Sequence, residues 1–312
     1  MNLMRIPSRI RIFFLLVFVF SFLNTCFAGN SKQSDKDTMI NYFLKNLYNF
    51  SFRTADSMVV VMNESGIDNS TLLIIRANLS WWKLLSGDDV AMNLRTCDSL
   101  LHESINLGSK IKKQNINSLL NIIYSYSLKA RLENFKGNKL KALIYFYKSI
   151  TFINECLDIP EKDEKLNLIL GLYFYFMDYI ENEYFLVNTI FFSFPKGDKK
   201  RGLMYLHRCS LSDNEMVRTE ANYFLLKIYA YTEKDYSMAY QNALALTQQY
   251  PDNLVYNLEQ FSLLLKMKKD IEAKAFQKKL ITNILSANNI NRNQKNHFIY
   301  QIGELAKTAV KE

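Results

Sequence analysis

Metal binding or acid–base catalysis would have to rest on histidine, cysteine and clustered carboxylates, and this chain spreads them thinly. His102, His207 and His297 stand far apart, none with an acidic or cysteine neighbour at metal-ligand spacing. Cys26, Cys97, Cys156 and Cys209 lack the close pairing of a zinc site and the density of a disulfide framework, so those beyond the first segment read as small buried residues. Asp88 and Asp89, after Gly87, could offer oxygens to a cation. Lying between two helical stretches, they read instead as a turn with an acidic helix start. Glu161, Asp163 and Glu164, following Pro160, read the same way. HExxH, nucleophile-elbow, P-loop and dinucleotide-glycine motifs do not occur in the sequence. The expectation is a non-enzyme: no catalytic residues, no metal and no cofactor.

The elements that would position any site are helices. Apolar residues make up 49% of the 312, ample for a core, while Gly 9 and Pro 4 are too few for a sandwich or barrel rich in tight turns. From Thr38 onward the apolar spacing is helical. Polar or glycine-bearing breaks punctuate it at Asn63–Gly66, Ser86–Asp89, Lys136–Asn138, Pro195–Asp198 and Tyr250–Asn253. Short turns of this kind join antiparallel helices, so helix pairs are the repeating object.

The clearest pair runs from Glu220 to Asn253, EANYFLLKIYAYTEKDYSMAYQNALALTQQYPDN. It resembles the tetratricopeptide repeat. Tyr223 and Leu226 hold the first-helix sites, Ala239 the small site that lets the paired helices approach, and Pro251 the closing position. Lys227, Ala230 and Ala243 depart from the pattern. Ala55, Ala91, Ala142, Gly202 and Ala273 can each play the part of Ala239, with Phe146 packing beside Ala142. The fold class expected over 38–312 is all-α, an irregular tetratricopeptide-like helical repeat array, or α-solenoid. A second resemblance lies in Gly171–Tyr175, then Pro195-Lys-Gly-Asp through Gly202-Leu203, then the Tyr250–Asn253 ending. It is similar to a group of bacterial exported repeat proteins and, more distantly, to eukaryotic outer-membrane-associated proteins of the tetratricopeptide-39 type. That likeness implies fold and export, with no functional residue carried over.

Residues 1–28 read as a cleaved signal peptide. Arg5, Arg9 and Arg11 precede an apolar run, Ile12–Leu23, too short to span a bilayer, which takes about 20 residues. Cys26-Phe27-Ala28 makes a small-x-small cleavage site before Gly29. A lipid anchor at Cys26 ranks second, because Asn24 and Thr25 fit a lipobox poorly. Residues 29–37 would then form a flexible leader. Either route places the chain in the periplasm, at the outer membrane or outside the cell, with no spanning segment after processing.

The formal charge of +9 is dispersed rather than gathered in a stripe, which disfavours nucleic acid and leaves a preference for acidic partners. With first helices lining the concave side of an array, Arg76, Ser80, Lys83, Tyr124, Ser127, Arg131, Asn134, Phe224, Ile228 and Tyr231 would share a groove suited to an acidic protein or peptide. A competing reading takes the aromatic segment 166–194, with Tyr173–Phe176, Tyr179, Tyr184, Phe185, Phe191 and Phe192, as a pocket for glycan or lipid. Core packing is the plainer reading of that segment.

Overall fold

The computed structural model describes residues 31–110, 116–157, 164–183 and 193–309. Among them all regular structure is helical, thirteen α-helices packed as consecutive neighbouring pairs, the arrangement of a helical repeat array. In chain order these are α1 (Ser31–Tyr48), α2 (Phe52–Glu64), α3 (Asn69–Leu85), α4 (Val90–Gly108), α5 (Ile116–Phe135), α6 (Lys139–Asn154) and α7 (Glu164–Glu183). There follow α8 (Lys199–Cys209), α9 (Glu215–Lys227), α10 (Tyr236–Gln249), α11 (Leu254–Lys266), α12 (Asp270–Ser286) and α13 (Arg292–Ala309). A π-helical turn, Ile228–Thr232, follows α9 directly.

Each break expected from sequence falls at or beside a helix end, and short side chains hold the starts. Asp198 accepts from the Arg201 amide at 2.9 Å, Asp235 from the Met238 amide at 3.0 Å, and Asn253 from the amides of Val255 and Tyr256. One boundary differs. Residues 31–37, expected as part of a flexible leader, belong to α1. Nothing there breaks a helix, and Lys36 donates to the Gly66 carbonyl at 2.6 Å, tying the stretch to the end of α2. The signal sequence expected at 1–28 lies outside the described residues, as do Pro160, Glu161, Asp163 and the aromatic residues Tyr184, Phe185, Phe191 and Phe192.

The chain divides into two compact units. The first comprises, of the described residues, 68–74 and 98–225. Its pairs are α5 with α6 and α7 with α8. Ala142 and Phe146 on α6 are buried against α5 neighbours, as an amphipathic helix requires. At the α7–α8 crossing, a Cβ on Gly202 would lie 2.5 Å from the Tyr175 amide nitrogen and 2.8 Å from the Gly171 carbonyl. Only glycine permits that approach.

The second unit comprises 31–67, 75–97 and 226–312. It pairs α1 with α2 and stacks α10 through α13. In a strictly linear array each repeat touches only its neighbours. Here distant segments meet. Asn253 donates to the Tyr48 carbonyl at 2.6 Å, and Asn49 bonds Asp252 through both its amide nitrogen and its oxygen. Gln294 donates to Ser86 and Asn291 to Asp88, both at 2.7 Å. Rings of Tyr48, Trp82, Tyr250 and Tyr256 pack at centroid separations of 5.4–6.1 Å beneath these bonds.

Candidate functional site

The residues of the Pro195–Leu203 motif explain themselves as internal clamps. Pro195 accepts from the Tyr173 hydroxyl at 2.8 Å, the Gly197 amide donates to Glu181 at 3.2 Å, and the Asp198 amide donates to the Phe174 carbonyl at 2.9 Å. Gly197 lies so near α7 that a Cβ would stand 1.8 Å from the Asp178 amide nitrogen. Tyr173, Phe174, Tyr175 and Phe176 are buried, stacked edge to face with one another and with Tyr205 alongside. Their rings belong to the core. The pocket imagined for segment 166–194 therefore has no lining from these four.

Most of the residues expected to share one groove are buried. Arg76, Ser80, Lys83, Ile228 and Tyr231 belong to the second unit; Tyr124, Ser127, Arg131, Asn134 and Phe224 to the first. Ser80, Tyr124, Ser127, Arg131, Phe224 and Ile228 are buried, and Asn134 is half-buried. Ser127 donates to the Ile123 carbonyl within its own helix, and the Arg131 guanidinium lies 6.0 Å from the Phe224 ring centroid. Lys83 is paired with Asp56 at 2.7 Å, leaving Arg76 as the exposed member. The physical reason is α5. It is buried from Leu119 to Glu133 without interruption, so no choice of frame gives it a solvent face. Apolar residues fall on nearly every side of 116–135, between its polar ones, and that spread rather than a single stripe is the local sign of enclosure.

Ala91 needs a second correction: it is exposed in the first turn of α4. The buried stripe of that helix runs through Asn93, Cys97, Leu100, Leu101 and Ser104. Two residues of offset turn a helix by about 200°, so Ala91 faces away from the stripe that holds Cys97. Tyr223, Leu226, Ala239 and Gly202 are buried, while Pro251 sits exposed in the turn after α10. Cys97, Cys156 and Cys209 are all buried. Burial pushes Cys156 and Cys209 up to about 12, with Glu155 and Glu164 adding to the effect, so neither is a thiolate at neutral pH.

Two lysine–tyrosine clusters remain; the first lies partly inside the fold, with Tyr126 and Lys129 buried and Lys148 exposed. In the first unit, Asp98 accepts from Lys129 at 2.5 Å and Lys136 at 3.3 Å, and Lys136 also pairs with Glu133. Burial works to raise the Asp98 carboxyl, but the two lysines outweigh it and hold it below the ordinary range. Beside this network Tyr126 stacks on Tyr145 and Phe152, and the exposed Lys148 ammonium stands 5.7 Å from the Tyr126 centroid and 5.8 Å from that of Tyr145. In the second unit the π-helical turn sets Tyr231 beside Glu259, which accepts from its hydroxyl at 3.1 Å and from Lys227. Lys266 lies 4.1 Å from the Tyr231 centroid and 5.6 Å from that of Tyr236; Lys269 lies 5.8 Å from that of Tyr240. Tyr231, Tyr236 and Tyr240 are all half-exposed. Tyr231 was among the groove residues expected from sequence, but its companions were not, since that groove was drawn on first helices alone and Tyr236 and Tyr240 lie on the second helix of the pair.

Among the described residues no three or more His, Cys, Asp or Glu gather closely enough to hold a metal ion. None of the described helices is long and apolar enough to cross a membrane. Comparison of the chain with protein-family models, curated proteins and solved structures found no match.

Proposed function

We propose that this chain is an exported, non-catalytic interaction scaffold of the tetratricopeptide type that holds an acidic protein or peptide. The observation that carries the reading is the row Tyr231, Tyr236 and Tyr240, half-exposed rings with the ammoniums of Lys266 and Lys269 lying over them. Tyrosine supplies large contact area at low entropic cost, and lysine steers negative charge toward it. The aromatic segment 166–194 as a glycan or lipid pocket is the weaker reading, because Tyr173–Phe176 are spent on the core.

The test is capture from envelope extract with the purified chain, repeated with the double variant Lys266→Glu, Lys269→Glu. The scaffold reading expects captured protein that is released by raised salt and lost in the variant. An identical captured set from both proteins would overturn it. Export is checked separately by fractionation and by mass spectrometry of the amino terminus. Gly29 as first residue supports signal cleavage, a lipidated Cys26 supports the anchored form, and an intact Met1 in the cytoplasm refutes both.

A further inference from the structure

The outer face of α6 carries a repeat that the core does not use. Leu140, Ile144 and Tyr147 are 71%, 47% and 36% exposed, and Thr151 is exposed with them. Their spacings of four, three and four residues are those of successive d, a, d and a positions of a heptad. The inward face of the same helix is separately occupied by Ala142, Phe146, Ser149, Ile150 and Ile153. So α6 is apolar on two sides, one satisfied within the fold and one presented outward.

The flank of the outward seam is basic. Lys141 and Lys148 fall at its e positions and are exposed. The rings of Tyr126 and Tyr145 hold the Lys148 ammonium on that side. At the other edge Phe194 meets Tyr147 edge to face, with centroids 5.4 Å apart. We infer that this seam docks one amphipathic helix of a protein partner, with an apolar ridge flanked by glutamate or aspartate facing Lys141 and Lys148. The inference rests on the scaffold reading and adds the shape and charge of what is held.

Seam width selects a helix over a lipid surface. At 100° per residue the four seam positions fall within about 60°, the width of a coiled-coil contact. A helix lying in a bilayer interface presents an apolar face of about 100° or more. Lysines at the e positions set partner choice by charge, as in paired coiled coils.

The experiment uses fluorescence anisotropy with a labelled three-heptad helical peptide carrying leucine at a and d and glutamate at the flanking positions. A matched peptide carries lysine there, and vesicles of mixed phosphatidylglycerol and phosphatidylcholine serve as the lipid probe. The purified chain is expected to prefer the glutamate peptide. Ile144→Asp should weaken that binding about tenfold or more without changing the melting temperature, since Ile144 is a surface residue. The double variant Lys141→Glu, Lys148→Glu should switch preference to the lysine peptide. Binding to neither peptide overturns the inference, as does unaltered binding by Ile144→Asp or an unswitched preference. Ile144-dependent binding to vesicles alone overturns it in favour of a lipid surface. Failure here with Lys266- and Lys269-dependent capture intact removes the seam and leaves the scaffold standing; loss of both removes the scaffold.

Discussion

At Gly197 and Gly202 the helices α7 and α8 leave no room for a methyl group. Gly197→Ala and Gly202→Ala should each lower stability by about 1–3 kcal/mol or more, since the atoms in the way are backbone and cannot rotate aside. Gly303, within α13, has nothing within 4 Å of where a Cβ would stand. There Gly303→Ala should raise stability by roughly 0.5–1 kcal/mol through backbone entropy. Urea unfolding of the three variants checks both signs. The sequence pointed to Gly202 through its place in the repeat frame, and the same frame put Ala239 in the core. It failed at Ala91, where a small residue two positions from the buried stripe looks like a crossing residue but is not one. Small side chains mark crossings only when the phase of the helix around them is known.

Among elements, helix existence and turn placement were legible because polar breaks and capping residues are local chemistry. The surroundings of a helix are not local, and α5 shows the consequence. Its serines, Lys129 and Arg131 suggest a wet face, yet Asp98, neighbouring backbone and the Phe224 ring receive them inside. A groove drawn from polarity alone therefore pointed inward. Asn253 shows an element boundary joined to a distant one: it caps α11 and also binds the Tyr48 carbonyl at the end of α1. Asn253→Ala should cost roughly 2–4 kcal/mol, a lost cap plus a buried carbonyl left unmet. Asp235→Ala, which removes a cap alone, should cost about 1 kcal/mol. Denaturant midpoints of the two variants measured side by side test the difference.

At the scale of the whole molecule, acid should loosen the fold through two half-buried histidines. Burial lowers the folded values of both His207 and His297; a hydrogen bond to the Leu85 backbone partly offsets this at His297. His297 also shares a 2.7 Å bond with Gln301, and its ring packs where a Cβ on Gly87 would lie 2.7 Å away. The fold favours the neutral imidazole, so the unfolded chain binds more protons below the ordinary histidine range. This contribution is complete above that range and declines as pH falls through it, flattening below the folded values. Thermal melts from pH 7.5 to 5 should show the decline, and the double variant His207→Gln, His297→Gln should shrink it. Wild-type melting temperatures that stay level across that span would contradict the argument. Sequence gave each histidine as isolated, which is true along the chain and uninformative about burial.

The long-range bonds of the second unit also bear on biosynthesis. Tyr48, Trp82 and the backbone around Asn49 meet their partners at Tyr250–Tyr256 only after some two hundred further residues have been made. A nascent chain must carry that aromatic surface uncovered throughout, the interval in which a holding chaperone acts. Nascent chains arrested before residue 250 should therefore retain such a chaperone, and those extended past α13 should release it.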